Sequence, residues 1–250
     1  MQKFNGHAIA ILAVLATAFI TACAPQIPVQ VPVHTPAQTR LQDSLLPTDF
    51  PTAYYQLAAA HGKKVLQVDA THSVVVIEVH KGGSLARLGH DHVVASHNVT
   101  GYVSIDDGRA DLYVPLESLI VDEPDRRTEA GFDTQPSAEA IAGTRHNMLG
   151  KVLETARYPF ALIRITRAAV EQSTLNVSIT LHGITRAVEI PATTETIGDG
   201  IAVSGRMSIN QSDFGIVPFS VMGGAMQVQD RLDLRFRIVA NEKLDSPLVK

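Results

Sequence analysis

The string Gly89-His90-Asp91-His92 concentrates chemically versatile side chains in four residues. His90 and His92 are two positions apart, so both imidazoles point to the same side of an extended segment. Such a pair can bind a divalent metal if a third ligand joins it. The candidates for that ligand are the histidines His72, His146 and His182. The alternative is that the pair orders a loop or binds a polar headgroup at the mouth of a cavity. We favour this alternative and predict no metal site.

The sequence contains none of the short patterns that mark common catalytic centres. It lacks G-x-S-x-G, H-E-x-x-H and a glycine-rich phosphate loop. The acidic pairs Asp106-Asp107 and Asp122-Glu123 lie in apparent turns, where we expect solvated carboxylates. The formal net charge is −4 and no block of Lys or Arg stands out, which argues against a nucleic-acid partner. We therefore predict a protein that is not an enzyme and has no cofactor.

Cys23 is the one cysteine of the chain, so it cannot belong to an internal disulfide framework. Lys3 and the apolar run 8–20 precede it, and this run is too short to span a bilayer but typical of a signal peptide. Ile20-Thr21-Ala22-Cys23 fits the lipobox pattern, with small residues before the cysteine. We therefore predict a lipoprotein signal peptide over residues 1–22.

The same pattern predicts a lipid anchor on Cys23. A diacylglycerol group, usually joined by an N-linked acyl chain such as palmitate, provides the two or more buried chains that stable anchoring requires. The next residue is Ala24, not Asp. In a Gram-negative host this favours the outer membrane, with the protein facing the periplasm of the cell envelope.

A proline-rich segment follows the predicted anchor. Its prolines block regular backbone hydrogen bonding and favour extended conformations. We interpret residues 23–53 as a stalk, 54–242 as the folded domain and 243–250 as a C-terminal tail. Tyr54 to Gly62 has a weak helical pattern. The stalk prolines are Pro25, Pro28, Pro32, Pro36, Pro47 and Pro51.

From Val65 onward, short β-branched and alternating segments predict strands. Asp106-Asp107-Gly108 is a hairpin turn signal between two of them. The last segment is the clearest, because apolar and charged residues alternate strictly from Arg231 to Ile238. The predicted strands are 74–79, 98–105, 110–116, 160–166, 175–181, 187–190, 201–209 and 228–239.

One segment has a helical period instead. From Ser137 to Leu153, apolar residues recur on one helical stripe, behind Pro136. About eight strands with one inserted α-helix are typical of an antiparallel barrel or a sandwich, and length does not decide between them. An eight-stranded barrel has an interior that can hold one small ligand.

Four separated motifs resemble the YceI-like family, whose members adopt a lipocalin-like antiparallel β-barrel and bind polyisoprenoid-type lipids inside it. The likeness spans roughly Val65 to Ala240. The motifs are Asp69-Ala70-Thr71-His72-Ser73, then Tyr158-Pro159 before Phe160-Ala161-Leu162-Ile163, then Leu181-His182-Gly183-Ile184-Thr185-Arg186, and Ser212-Asp213-Phe214-Gly215-Ile216.

The chain departs from the family pattern at three places. The stretch 80–92 replaces a shorter family segment after the first strand, Gln211 replaces a basic residue, and 145–148 alters an Arg-Asp pair. These changes are typical of a divergent branch with a different guest. His72 and His182 lie in family-like motifs, so each either contacts ligand or bridges a turn to a neighbouring strand.

The resemblance therefore implies a mainly β, lipocalin-like barrel that binds an isoprenoid or other lipid. Met148 and Phe160 also fit a packed core, and the Met222–Met226 loop is predicted to cover the barrel. Two alternatives stay open: a metal-binding protein or metal-dependent enzyme, and a structural envelope module with a filled core. A homodimer is a candidate assembly in each case. The candidate ligand-binding residues are His72, His90, His92, Met148, Phe160, His182, Phe214, Met222 and Met226.

Overall fold

A computed structural model describes residues 46–166 and 173–242. The predicted signal peptide, Cys23, most of the predicted stalk and the tail 243–250 lie outside the described residues. None of the helices in the two described ranges has the length and apolar character needed to cross a membrane.

In the described part of the chain, twelve β-strands form one sheet in which every pairing is antiparallel. Most are rich in β-branched and aliphatic residues, which pack well on a pleated surface. The strands are β1 (Val65–Val68), β2 (Val74–Gly82), β3 (His92–Ser96), β4 (Thr100–Ser104), β5 (Arg109–Pro115), β6 (Ile120–Val121), β7 (Phe160–Thr166), β8 (Thr174–Leu181), β9 (Ile184–Ile197), β10 (Gly200–Asn210), β11 (Ser220–Val221) and β12 (Met226–Asn241).

Three pairs of consecutive strands, β1 with β2, β3 with β4 and β5 with β6, each act as one bent strand. With β7, β8, β9, β10 and β12 they close into an eight-stranded barrel, and among the described strands β11 pairs only with β12. β1 and β2 both pair with β12, and they pair on their other side with β4 and β3. At the bend between β1 and β2, the Ser73 hydroxyl bonds both the amide and the carbonyl of Val239. β12 also pairs with β10 along ten residue pairs, which completes the ring. The predicted lipocalin-like barrel is confirmed.

Three α-helices accompany the barrel in the described ranges: α1 (Thr52–Ala60), α2 (Pro124–Glu129) and α3 (Ala138–Asn147). α3 continues into a π-helical turn over Met148–Val152 and begins at Ser137, whose hydroxyl caps the Ala140 amide. The helix predicted over 137–153 is therefore present. α2 is a second inserted helix that the sequence analysis did not predict, because six residues are too few to show a helical period.

The two faces of β12 show how the sequence separates the inside of the barrel from the outside. Leu232, Leu234, Phe236 and Ile238 line the interior, as the alternation predicts. The outward Arg235 pairs with Glu78 on β2 and with Glu129 at the end of α2.

The two ends of the barrel differ in their connections. At one end, here called the loop end, the strands are joined by 83–91, 122–159 and 211–225, together with one tight turn after β8. At the opposite end, here called the turn end, β4 joins β5 and β9 joins β10 through short turns. The connection between β7 and β8 lies at the turn end and is not among the described residues.

Candidate functional site

The barrel encloses a cavity of about 520 Å³. Inward-facing aliphatic side chains from strands around the ring form its wall, for example Ile77, Val114, Ile163, Val203 and Leu234. Small-molecule sites typically occupy roughly 300–1,000 Å³. The interior of an eight-stranded barrel can be filled by its own side chains, but here they leave a connected apolar space.

Polar side chains are few along this wall and concentrate near its ends. At the loop end, His90 and His92 contribute to the lining together with Thr144 and Asn147 on α3. The two imidazole ring centroids are 6.3 Å apart. An apolar chamber with a few polar groups at one end suits a ligand that has a long apolar body and a polar head.

His92 is held in a defined orientation by a buried carboxylate. Its Nδ1 lies 2.6 Å from Oδ2 of Asp122, whose side chain is 0% exposed. Burial raises the pKa of the Asp122 carboxyl, but hydrogen bonds from His92, the Val93 amide and Arg127 outweigh it. The pKa therefore lies below its ordinary value, and Asp122 is a carboxylate at neutral pH.

Arg127 neutralises that carboxylate from α2. Its Nη1 lies 2.6 Å from Oδ1 of Asp122 and 2.7 Å from the carbonyl oxygen of Asp91. Its Nη2 donates to the carbonyl oxygen of Thr134, and its guanidinium lies 5.4 Å from the ring centroid of Phe132. The buried ion pair thus fixes both the loop before β3 and the imidazole of His92.

Exposed apolar side chains lie on two loops at the loop end. Val217 and Met222 are 80% and 71% exposed, and Leu88 is also exposed. The loops contact each other, because the Leu85 amide donates to the carbonyl oxygen of Ala225. Leu88 also lines the cavity, so apolar surface continues from the interior to the outside.

Four of the sequence-predicted ligand residues line the cavity: His90, His92, Met148 and Met226. They come from three separate parts of the chain. No three His, Cys, Asp or Glu side chains within residues 46–166 and 173–242 are grouped so that they could hold a metal ion. The histidine pair therefore has no third ligand there, and His72, His146 and His182 do not supply one.

The other five predicted ligand residues lie outside the cavity lining. His72 is exposed and its Nδ1 pairs with Asp69 at 2.7 Å. Phe160 packs edge-on against Tyr113 at 5.7 Å between ring centroids. Phe214 is buried within the turn that precedes Gly215, and Met222 is exposed to solvent at the loop end.

His182 has a structural role in the hairpin between β8 and β9. His182 and Gly183 both have positive φ, 51° and 76°, which is the signature of a two-residue type I′ turn. The His182 ring lies 4.4 Å from the ring centroid of Tyr158. A Cβ at position 183 would meet that tyrosine at 2.8 Å, so the turn and the Tyr158 motif constrain each other.

Asp122 and Arg127 were not predicted as site residues from the sequence, and the expected solvated carboxylate at Asp122 is wrong because this side chain is buried. The Asp122 amide donates to the carbonyl oxygen of Val93, which extends the pairing of β6 with β3 and holds the buried residue against the start of β3. Asp122 has φ 58°, which is uncommon for a residue other than glycine. The partners lie up to 36 positions apart in the chain, so no local pattern could have revealed the cluster.

The chain belongs to the YceI-like domain family, whose model matches residues 66–240. This match confirms the resemblance carried by the four motifs. No curated protein matches the sequence.

Two solved structures share the fold. One is a polyisoprenoid binding domain from Saccharophagus degradans implicated in plant cell wall breakdown, 14% identical, with a TM-score of 0.52 over 71% of this chain and 98% of that one. The other is BcnA from Burkholderia cenocepacia, 17% identical, with a TM-score of 0.51 over 70% of this chain and 99% of that one. At these identities the likeness defines the barrel and leaves the ligand open.

Proposed function

We propose that this protein binds one long apolar ligand, an isoprenoid or another lipid, inside its barrel while a lipid on Cys23 tethers it to a membrane of the cell envelope. The observation that carries the proposal is the connected apolar cavity. Each methylene group buried there would contribute about 0.8 kcal/mol. A chain of several isoprene units therefore gains enough to leave water.

The comparisons support the ligand class. The Saccharophagus degradans domain with the same fold is described as polyisoprenoid binding. The cavity argues against a structural module with a filled core, because packed interiors rarely contain voids much larger than a water molecule. Leu88 and the other exposed apolar side chains of the loop end offer an entry route beside the cavity.

The experiment that tests ligand binding compares two positions on β10. Val203 faces the cavity and Arg206 faces the outside. Val203→Phe places a ring in the proposed ligand space, whereas Arg206→Phe places the same ring on the outer wall. After lipid extraction and refolding, titration with a fluorescent polyprenyl probe should show at least a tenfold weaker affinity for Val203→Phe and an unchanged affinity for Arg206→Phe.

Melting temperatures distinguish an open ligand cavity from a filled core. In a close-packed core the added ring would cost about 1–3 kcal/mol, and the melting temperature of Val203→Phe would fall well below that of the wild type. In a real cavity it should hold. A wild-type protein that binds no apolar probe at all contradicts the proposal.

The membrane tether has its own test. Cys23→Ser removes the thiol that the lipid transferase requires, so radiolabelled palmitate should label the wild type and not the variant. The variant should also leave the membrane fraction or remain unprocessed. Palmitate labelling of Cys23→Ser would show that the anchor lies elsewhere or is absent.

A further inference from the structure

The hydrogen-bonding state of His92 follows from its partner. A carboxylate has no proton to donate, so at the 2.6 Å contact with Asp122 the proton belongs to Nδ1 of His92. Arg127 already balances the charge of Asp122 at 2.6 Å, so the carboxylate does not require a cationic imidazole. In a neutral imidazole protonated at Nδ1, Nε2 carries a lone pair and can only accept a hydrogen bond.

The acceptor nitrogen has no partner in the described part of the chain. The contact with Asp122 is the one hydrogen bond that the His92 ring makes there. His92 lines the cavity at the loop end, where Thr144 and Asn147 add small polar groups. Nε2 is therefore available to a guest whose apolar body occupies the barrel.

Two cations beside the loop before β3, Arg127 and Lys81, already have partners. Arg127 contacts Asp122, the carbonyl oxygen of Asp91 and that of Thr134. Lys81 donates to the carbonyl oxygen of Gly89 at 3.2 Å and lies 3.8 Å from Asp91. A phosphate head would thus meet the lone pair of His92 Nε2 and two cations that already have partners. The oxygen of a carbonyl or ether head is an acceptor, so it would face the acceptor Nε2 without a hydrogen bond. A hydroxyl head can donate.

We propose that Nε2 of His92 accepts a hydrogen bond from a hydroxyl group at the head of the ligand, so that the barrel selects long-chain alcohols or phenols over the matching ethers and phosphates. This inference rests on the proposed ligand-binding function and specifies which ligands the same cavity takes. Asp122 is the positioning residue, since it acts through the imidazole.

The test uses three probes with the same polyprenyl chain: the free alcohol, its methyl ether and its monophosphate. The purified full chain is stripped of lipid by organic extraction and refolded, and each probe displaces a bound fluorescent dye. We expect the alcohol to bind about tenfold more tightly than the ether, as for one buried hydrogen bond left unmade. The monophosphate should bind more weakly than the alcohol.

Two variants report on the mechanism. His92→Phe keeps an aromatic ring but has no acceptor, so the alcohol and the ether should bind equally well. Asp122→Asn should do the same for a different reason. Oδ1 of Asp122 accepts from both Arg127 and the Val93 amide, so the new amide oxygen takes that place and its NH₂ faces Nδ1. The proton then moves to Nε2. This nitrogen becomes a donor, and the oxygen of the ether can accept its hydrogen bond as well as the oxygen of the alcohol can.

Asp111→Asn is the matched control, because it removes the charge of a buried carboxylate on the outer wall. Its alcohol preference should equal that of the wild type. Equal affinity of the wild-type protein for alcohol and ether overturns the inference, and so does a preference that survives in His92→Phe. In both cases the probes still bind, and the proposed function stands. Failure of all three probes to bind would instead contradict the proposed function itself.

Discussion

Two buried carboxylates, one on the outer face of the barrel and one at its loop end, have similar chemistry and different surroundings. Asp111 lies on the outer face of β5 and Asp122 lies at the loop end, after β6. In both, burial raises the carboxyl pKa but hydrogen bonds outweigh it, so both pKa values lie below the ordinary one. Both are also paired with arginine.

The two carboxylates differ in the location of their hydrogen-bond partners. Asp111 accepts from Arg109 and Arg164 at 2.7 Å each and from the Tyr55 hydroxyl at 2.7 Å. Arg164 belongs to the outer wall and Tyr55 to α1. The guanidinium of Arg109 lies 4.3 Å from the ring centroid of Tyr54 on α1, and Arg109 also borders the turn end of the cavity. Asp122 instead orients His92, whose ring belongs to the cavity lining. Asp122 thus orients a ring at the loop end of the cavity, whereas Asp111 joins strands near the turn end to α1 and is the structural counterpart.

Acid should weaken both clusters together, and this is the largest effect that we expect. Because the folded-state pKa of each carboxyl is lowered, its contribution to stability is complete above the unfolded value of about 4 and is lost as the pH falls below it. Urea unfolding measured between pH 7 and pH 2.5 should show a decline that begins near pH 4. Asp111→Asn and Asp122→Asn should each have a shallower decline. An unchanged slope in either variant would mean that the carboxyl is not ion-paired in the folded state.

Asp111→Ala should destabilise the fold without altering the loop end of the cavity, where His92 lies. It leaves Arg109 and the Tyr55 hydroxyl without their acceptor, whereas the half-exposed Arg164 can form hydrogen bonds with solvent instead. We expect a loss of about 2–3 kcal/mol in the free energy of unfolding. Probe affinity of the folded protein should stay within twofold of the wild type. A tenfold loss of affinity would show that the outer wall and the cavity are coupled.

Tyr55→Phe removes one hydrogen bond from the same cluster and keeps the ring. Burial and the hydrogen bond to Asp111 raise the pKa of Tyr55, so this hydroxyl stays protonated and donates. The ring also stacks on Tyr102 at 5.3 Å. Chemical denaturation should show a loss of about 1 kcal/mol. A loss as large as that of Asp111→Ala would place most of the cluster's energy in the contact with α1.

The sequence predicted most of the barrel and part of the site. Strict alternation along β12 identified the inner and outer faces correctly, because a residue period of two directly reports which face is buried. β3 was missed as a strand because its first residue, His92, was interpreted as part of a loop-like string. Pairings such as Asp122 with Arg127 and His92 depend on the closure of the barrel, so only the folded chain reveals them.

His182→Asn should have the smallest effect. Asn tolerates positive φ almost as well as glycine in this kind of turn, and position 182 does not line the cavity. Stability should change by less than about 0.5 kcal/mol, with no change in alcohol preference. His182→Val is the matched comparison, since a β-branched residue is strained at φ 51°. A loss of probe binding in His182→Asn would indicate that this histidine contacts the ligand.

Native mass spectrometry of the full protein purified from its membrane fraction tests the central claim most directly. The account predicts a population heavier than the lipidated polypeptide by the mass of one apolar molecule. Organic extraction should release that molecule intact, and Val203→Phe should reduce the heavier population while Arg206→Phe leaves it unchanged. A protein that carries no extractable guest, and takes up none when polyprenyl alcohol is supplied, would contradict the account.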